Sequence, residues 1–235
     1  MRWASGLTWL VALLGNGKGP PILLQAVLID ILSTTATCAI GADTTVVHDP
    51  QTGFTFTQYS AEYAIGAYIQ FRVAIPSPAV APYDLVVQII APNNVGWTGI
   101  AWAGTMIDSP LTVGWASSGS VGDAVLHSPT YSQPALWTGA TLTPLRIGTQ
   151  ANGTGWQLTA KCSGCSYFMN ENNAYTTLSS SGTNRLAFAY SASGPSGSSS
   201  SAASSLPVHS VYGYWDHDFS SAGNANFTQL VAQNS

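Results

Sequence analysis

From about Asp43 onward, the chain is built of short runs in which apolar and polar residues alternate. Phe54-Thr-Phe-Thr57 and Tyr68-Ile-Gln-Phe-Arg-Val73 follow the period of two that sends one side of a strand into a core and the other into water. Leu85-Val-Val-Gln-Ile-Ile90, Leu111-Thr-Val-Gly-Trp115, Thr141–Ile147, Trp156-Gln-Leu-Thr-Ala160 and Leu186-Ala-Phe-Ala-Tyr190 continue the series. No stretch after Ala39 keeps helical spacing for three turns, and no internal repeat is present. Roughly ten strands at this spacing predict a single all-β domain, either a sandwich or a barrel.

Two stretches depart from the pattern. At the start, Arg2 precedes the apolar run Trp3–Leu14, Gly15–Pro21 interrupts it, and a second run, Ile22–Leu32, contains Asp30. Neither run reaches the ~18 uninterrupted apolar residues of a membrane span. The charged start and apolar centre read as a signal-like segment over residues 1–39, with cleavage expected near Thr37-Cys-Ala39 or Ala42. An uncleaved anchor and an extended gene start are the alternatives. The second departure is the Ser/Gly/Ala-rich stretch 191–205, a composition that makes a surface loop. Because the strand-like, aromatic Val208–Phe219 follows it, the loop is an insertion inside a domain spanning 43–227, with 228–235 as a tail.

Composition places this domain outside the cell. Only 7% of the residues are charged, against about 25% in an average domain, and 11% are aromatic. The 235 residues suffice for one large β domain with a full core. Beyond the N-terminal segment the cations are Arg72, Arg146, Lys161 and Arg185, too scattered for a nucleic-acid footprint. The formal charge of −4 likewise gives anionic membranes nothing to attract. Cleavage after Ala39 removes Cys38 and leaves the pair Cys162 and Cys165, as suits a secreted protein. The sequons Asn152-Gly-Thr154 and Asn226-Phe-Thr228 permit glycosylation there.

Candidate chemistry centres on one methionine and one histidine. Met106 closes the small-residue run Trp97-Thr-Gly-Ile-Ala-Trp-Ala-Gly-Thr-Met106 and is one of three methionines in the chain. A thioether in that setting fills a gap in a core or serves as an axial ligand of haem iron. Of the histidines, His48 sits in a turn-like His-Asp-Pro and His127 precedes Ser-Pro, so both read as surface residues. His217 lies between Asp216 and Asp218, which reads as a solvated cluster. His209 differs: it opens an aromatic strand, His209-Ser-Val-Tyr-Gly213-Tyr-Trp215. Neither a Ser/His/Asp order, nor a phosphate-binding glycine loop, nor a close carboxylate pair for acid–base work stands out.

Here a family resemblance enters. Trp97-x-Gly99-x-Ala101-x-x-Gly104-x-Met106 resembles the methionine-ligand segment of the cytochrome domain of fungal cellobiose dehydrogenases. His209-x-x-x-Gly213-x-Trp215-x-x-Asp218-x-x-x-Ala222 is similar to that domain's histidine-ligand segment. Asp49-Pro-Gln-Thr-Gly-Phe-Thr-Phe56, Leu111–Ala116, Tyr131-Ser-Gln-Pro134, Thr138–Thr143 and Cys162-Ser-Gly-Cys165 agree as well, in order, from about residue 43 to 227. The doubled N-terminal apolar run, Cys38 and the Ser-rich insertion are departures from the family pattern.

The resemblance implies an antiparallel β-sandwich of two sheets, immunoglobulin-like in architecture, holding one non-covalent haem b. Carried over, Met106 and His209 are the axial ligands of the haem iron, Tyr131 lies near the propionates, and Cys162 and Cys165 match a disulfide pair. A c-type haem site at those cysteines would need a histidine where Ser166 stands, and a zinc site would need a second pair. The chain is then expected to be a secreted, extracellular electron-transfer protein rather than a stand-alone catalyst. Its donor would be a flavin-dependent dehydrogenase acting in trans, since no flavin domain follows in the sequence. Its acceptor would be a copper polysaccharide monooxygenase, ferric iron or a quinone.

Two rival functions make different demands. A haem-free carbohydrate-binding β-sandwich would use exposed Trp and Tyr as sugar platforms and carry no chromophore. A copper monooxygenase would need histidine as its first mature residue, but cleavage before His48 would follow Thr-Val-Val, a poor signal-peptidase site.

Overall fold

A computed structural model describes residues 42–170, 172–195 and 206–235. The signal-like segment 1–39 and residues 196–205 of the Ser-rich insertion lie outside the described residues. Two antiparallel sheets face each other. The first contains β1 (Thr45–His48), β2 (Thr55–Ala64), β3 (Ala67–Pro76), β4 (Leu85–Pro92), β9 (Thr141–Pro144), β10 (Gln150–Ala151), β11 (Gly155–Ser163) and β16 (Gly223–Asn224). Its order is β1-β2-β3-β4-β11-β10, with β9 also pairing β11 and β16 running parallel to β3. The second sheet contains β5 (Trp97–Ala101), β6 (Leu111–Ser117), β7 (Ser120–His127), β8 (Ala135–Leu136), β14 (Thr183–Ser191) and β15 (Val211–Asp218). Its order is β15-β14-β5-β6-β7-β8. Each sheet keeps two free ends, so the architecture is a sandwich and not a barrel.

The alternation in the sequence accounts for the core between the sheets. Ile69, Phe71 and Val73 of β3 turn inward with Leu85, Val87 and Ile89 of β4, while Tyr68, Gln70 and Arg72 turn out. The second sheet meets them with Ile100, Leu186, Phe188 and Trp215. A small hairpin, β12 (Tyr167–Met169) with β13 (Tyr175–Thr177), hangs beside the sandwich and inserts Phe168 into the same core. At its root Cys162 and Cys165 form a disulfide with Cα atoms 5.8 Å apart, both residues fully buried.

Residues 228–235 are not a loose tail. They form most of helix α1 (Phe227–Asn234), which covers the outside of the first sheet. Phe227 and Leu230 pack on Phe54, Phe56, Ala74, Val86 and Leu145, and the Asn234 amide donates to the Thr52 carbonyl at 2.9 Å. Two turns with so few apolar contacts leave no three-turn signature in the sequence. No helix among the described residues is long and apolar enough to cross a membrane.

Among the described residues no such helix lies on the outer face of the second sheet, yet that face is apolar. Trp97, Ala101, Leu111, Val113, Trp115, Ala124, Leu126 and Ala187 form a cluster separate from the core between the sheets, and β5 is buried at every position. An antiparallel sheet with one face on a core ordinarily gives its other face to water. This one is apolar on both sides.

Candidate functional site

Strand register arranges that outer face into two cross-strand rows. One runs Tyr214, Ala187, Ala101, Leu111, Leu126; the other runs Tyr212, Ala189, Gly99, Val113, Ala124. The middle of each row is therefore small: Ala101 beside Ala187 and Gly99 beside Ala189 make a flat patch, with bulk on both flanks. Gly99 admits no side chain, because a Cβ there would lie 2.5 Å from the Thr112 carbonyl oxygen. Above the patch is a cavity of about 520 Å³, in the ~300–1,000 Å³ range of cofactor and small-molecule sites. Its lining carries no Asp, Glu, Lys or Arg.

Three segments rise around the patch, and each brings one of the residues singled out in the sequence. Met106 comes from the β5–β6 connection, Tyr131 from the β7–β8 connection and His209 from the approach to β15; all three line the cavity. Two backbone features hold the methionine segment in shape. Gly104 has φ +70° and lies against β14, where a Cβ would be 3.0 Å from Arg185 Cγ and 3.1 Å from its carbonyl oxygen. Asp108 has φ +47°, its N–H donates to the Ser128 carbonyl at 2.9 Å, and Ile107 forms a parallel bridge with Ser128.

The histidine segment is pinned on both sides of His209. The Trp97 indole N–H donates to the Pro207 carbonyl at 3.1 Å, and the Ser210 N–H donates to the Tyr190 carbonyl at 2.9 Å. The His209 ring meets the Tyr212 ring edge-on at 5.4 Å. Tyr131, 80% exposed, stands at the cavity mouth rather than inside it.

The other histidines lie elsewhere. His48 is exposed at the end of β1. His127 is partly covered, stacked on Trp137 at 5.5 Å with Nε2 3.4 Å from Asp108 Oδ1. His217 is no part of a solvated cluster: it is fully buried on the inner face of β15. Since an indole only donates, the 2.9 Å contact from Trp215 Nε1 makes His217 Nδ1 an acceptor and leaves the hydrogen on Nε2, 2.9 Å from Thr57 Oγ1. Burial pushes its pKa down to about 3, so the ring is neutral.

Small residues before Met106 divide in the same way. Gly99 and Ala101 line the cavity, whereas Gly104 shapes the turn and Ala103 faces a second cavity behind the loop. The sequence reading passed over Ala187, Ala189, Tyr212 and Tyr214. The alternation Leu186-Ala-Phe-Ala-Tyr190, large inward and small outward, is the signal that marks the first two. Both sequon asparagines are exposed; the Asn152 side-chain oxygen accepts from the Thr154 N–H and hydroxyl, at 2.9 and 2.8 Å, and Asn226 immediately precedes α1.

Solved structures share this architecture. The cytochrome b domain of pyranose dehydrogenase from Coprinopsis cinerea superposes with a TM-score of 0.70 at 22% identity, covering 81% of this chain and 95% of that one. The cytochrome domain of Myriococcum thermophilum cellobiose dehydrogenase gives 0.70 at 20% identity, covering 83% and 98%. In sequence, a pyrroloquinoline quinone-dependent pyranose dehydrogenase of Coprinopsis cinerea is 26% identical over 120 residues, half of this chain but only 16% of that protein. The model of the cytochrome domain of cellobiose dehydrogenase matches residues 47–229. With most of its length inside that match, the chain belongs to the family of cellobiose dehydrogenase cytochrome domains.

Proposed function

We propose that this chain is a one-electron carrier that binds a single non-covalent haem b on the small-residue patch, with Met106 and His209 as the axial ligands and Tyr131 near the propionate edge. The observation that carries the reading is the convergence of a thioether and an imidazole, far apart in sequence, on one uncharged cavity with a flat floor of Gly99, Ala101, Ala187 and Ala189. Those residues would fit a flat, mostly apolar macrocycle held between Met106 and His209: the small floor would let its edge approach the backbone, and Leu111, Val113, Leu126 and Trp97 would offer apolar wall. When bound, the haem supplies a reversible ferric–ferrous couple.

The chain's own residues set the character of that couple. A neutral, soft thioether at Met106 favours the reduced iron relative to a second imidazole and so raises the potential. Met106 and His209 together would hold the iron from the protein side and leave no open position, which would direct the site to electron transfer rather than to oxygen or substrate chemistry. An uncharged lining leaves the added charge of the ferric state without a compensating carboxylate, a second push toward reduction.

The family resemblance supports a reading of donor and acceptor. The donor we propose is a sugar dehydrogenase carrying flavin or, as the name of the Coprinopsis cinerea relative suggests, pyrroloquinoline quinone. The proposed acceptor is a copper polysaccharide monooxygenase, ferric iron or a quinone. Secretion is supported by the disulfide and the charge-poor composition, and glycosylation at Asn152 and Asn226 by the exposure of both.

The deciding experiment is an absorption spectrum of the protein produced with haem available. A reducible, six-coordinate b-type spectrum is expected. Met106→Ala and His209→Ala should each lose haem or turn high-spin, while His217→Gln keeps the wild-type spectrum. A protein that stays colourless after haem reconstitution overturns the reading. A spectrum that responds to His217→Gln and not to His209→Ala overturns the ligand assignment.

A further inference from the structure

Met106 occupies the middle of the loop Ala103–Ser109, and this loop has a cavity on either side of it. Thr105 and Met106 border the 520 Å³ cavity in front. Thr105, Ile107 and Asp108 also border a second cavity of about 360 Å³ behind, whose far wall is formed by polar residues including Asn172 and Thr183. In front, Met106 packs on the cluster that holds Trp97, Leu111 and Val113; behind the loop, the close packing that fixes side chains elsewhere in the domain is missing. Hydrogen bonds must hold the loop's backbone so that the thioether keeps that contact.

Those bonds are few. At one side, the Asp108 N–H donates to the Ser128 carbonyl at 2.9 Å. Across the base, the Ala103 N–H donates to Ser109 Oγ at 2.9 Å, and the same hydroxyl donates onward to the Pro110 carbonyl at 3.2 Å. Ser109 is fully buried, so no solvent stands ready to replace its hydroxyl. Immediately outside this clasp the chain enters strand structure, where the Trp102 N–H donates to the Pro110 carbonyl and the Trp102 indole to Thr112 Oγ1. Inside it are the two left-handed residues, Gly104 and Asp108, placed two positions either side of Met106. The loop is thus a short arch whose feet are tied by the Trp102–Pro110 backbone bond and, one step further in, by the Ser109 hydroxyl; inside it the Gly104 N–H donates to the Ala101 carbonyl at 3.2 Å and the Ile107 N–H to Thr105 Oγ1 at 3.3 Å.

We propose that Ser109 is a positioning residue for Met106: its hydroxyl closes the arch and holds the thioether at the cavity. The inference rests on the ligand role proposed for Met106. Removing the hydroxyl takes the acceptor from the Ala103 N–H and frees the arch to move into the space behind it.

The test uses the full chain as purified, with amide exchange and carbon monoxide as separate readouts. In the wild type, the Ala103 amide exchanges slowly compared with Thr105. In Ser109→Ala, exchange at Ala103 rises about tenfold or more, equivalent to about 1.4 kcal/mol, and the rise spreads over residues 104–108 while β5 and β6 keep their rates. Thr149→Val removes a hydroxyl beside the first sheet that accepts from the Thr159 N–H at 3.0 Å and donates to the Thr159 carbonyl at 2.9 Å, far from the arch, and leaves exchange over 103–109 unchanged. In the ferrous protein, carbon monoxide does not bind the wild type, binds Met106→Ala at once, and binds Ser109→Ala at a rate between the two.

Unchanged loop exchange in Ser109→Ala overturns the proposal. So does a wild-type Ala103 amide that exchanges as fast as Thr105, a result available even if Ser109→Ala does not fold. A Met106→Ala variant that keeps its haem and still refuses carbon monoxide instead sinks the ligand assignment, and the exchange data still judge the clasp on their own.

Discussion

The imidazole of His217 receives a hydrogen bond from an indole and makes another with a threonine hydroxyl, with no solvent contact. In the unfolded chain it protonates near pH 6.5; in the fold, burial brings this down to about 3. Its folded-state pKa is the depressed one, so the stability it contributes is intact above 6.5 and is lost as pH falls toward 3. Asp123 works the other way: burial pushes its carboxyl up to about 6, so its contribution is present at low pH and lost as pH rises through 6. The two oppose each other between about 4 and 6. His217→Gln separates them, since Gln accepts from Trp215, donates to Thr57 and does not titrate. We expect the thermal midpoint of this variant to fall less than that of the wild type between pH 7 and pH 4. Equal falls would rule out His217 as an acid-labile group. The placement of His217 was legible in principle, because Asp216 and Asp218 alternate with Trp215 and His217 and must share the opposite face. The strand period that puts the two aspartates on one face puts the histidine between them on the other, and the reading of a solvated cluster does not carry it that far.

At the scale of elements, β14 carries two instructions in alternation. Leu186, Phe188 and Tyr190 belong to the core between the sheets, while Ala187 and Ala189 lie on the outer patch beside Ala101 and Gly99. Enlarging an outward position should therefore affect the cofactor before it affects the sandwich. Ala187→Leu is expected to weaken haem retention at least about tenfold, about 1.4 kcal/mol, while the haem-free variant unfolds within about 1 kcal/mol of haem-free wild type. Haem transfer to a scavenger protein measures the first and denaturant titration the second. A variant that retains haem as well as the wild type would remove the floor from the proposed site. The strand series was readable because period two persists through β3 and β11 and, as large and small residues, through β14; the sandwich rather than a barrel was what the family resemblance implied. Helix α1 was not, and neither were the shortest strands, β8, β10 and β16, whose positions depend on partners distant in sequence.

Over the whole molecule, the layers are polypeptide except at one place. Helix α1 lies outside the first sheet, the second sheet lies inside, and the outer apolar face of the second sheet is where the proposed haem rests. Binding energy at that face is folding energy, by mass action. With free haem at about a thousand times its dissociation constant, the gain is about 4 kcal/mol, or about 10 °C in Tm for a domain of this size. Scanning calorimetry of haem-free and reconstituted protein measures it, and coincident midpoints would show that nothing seats there. The composition pointed toward an extracellular β domain and the ordered motifs toward its family, but the apolar outer face could not be read in advance. Its residues come from β5, β6, β7 and β14, and only the register shows that they lie side by side.

The same face gives haem supply a part in the protein's fate before it carries any electron. Without haem, an apolar-lined cavity stands open beside the exposed rings of Tyr131, Tyr212 and Tyr214, a groove into which apolar segments of other chains can insert. In a cell short of haem, the first sign would be lost yield and aggregated material rather than colourless but intact protein.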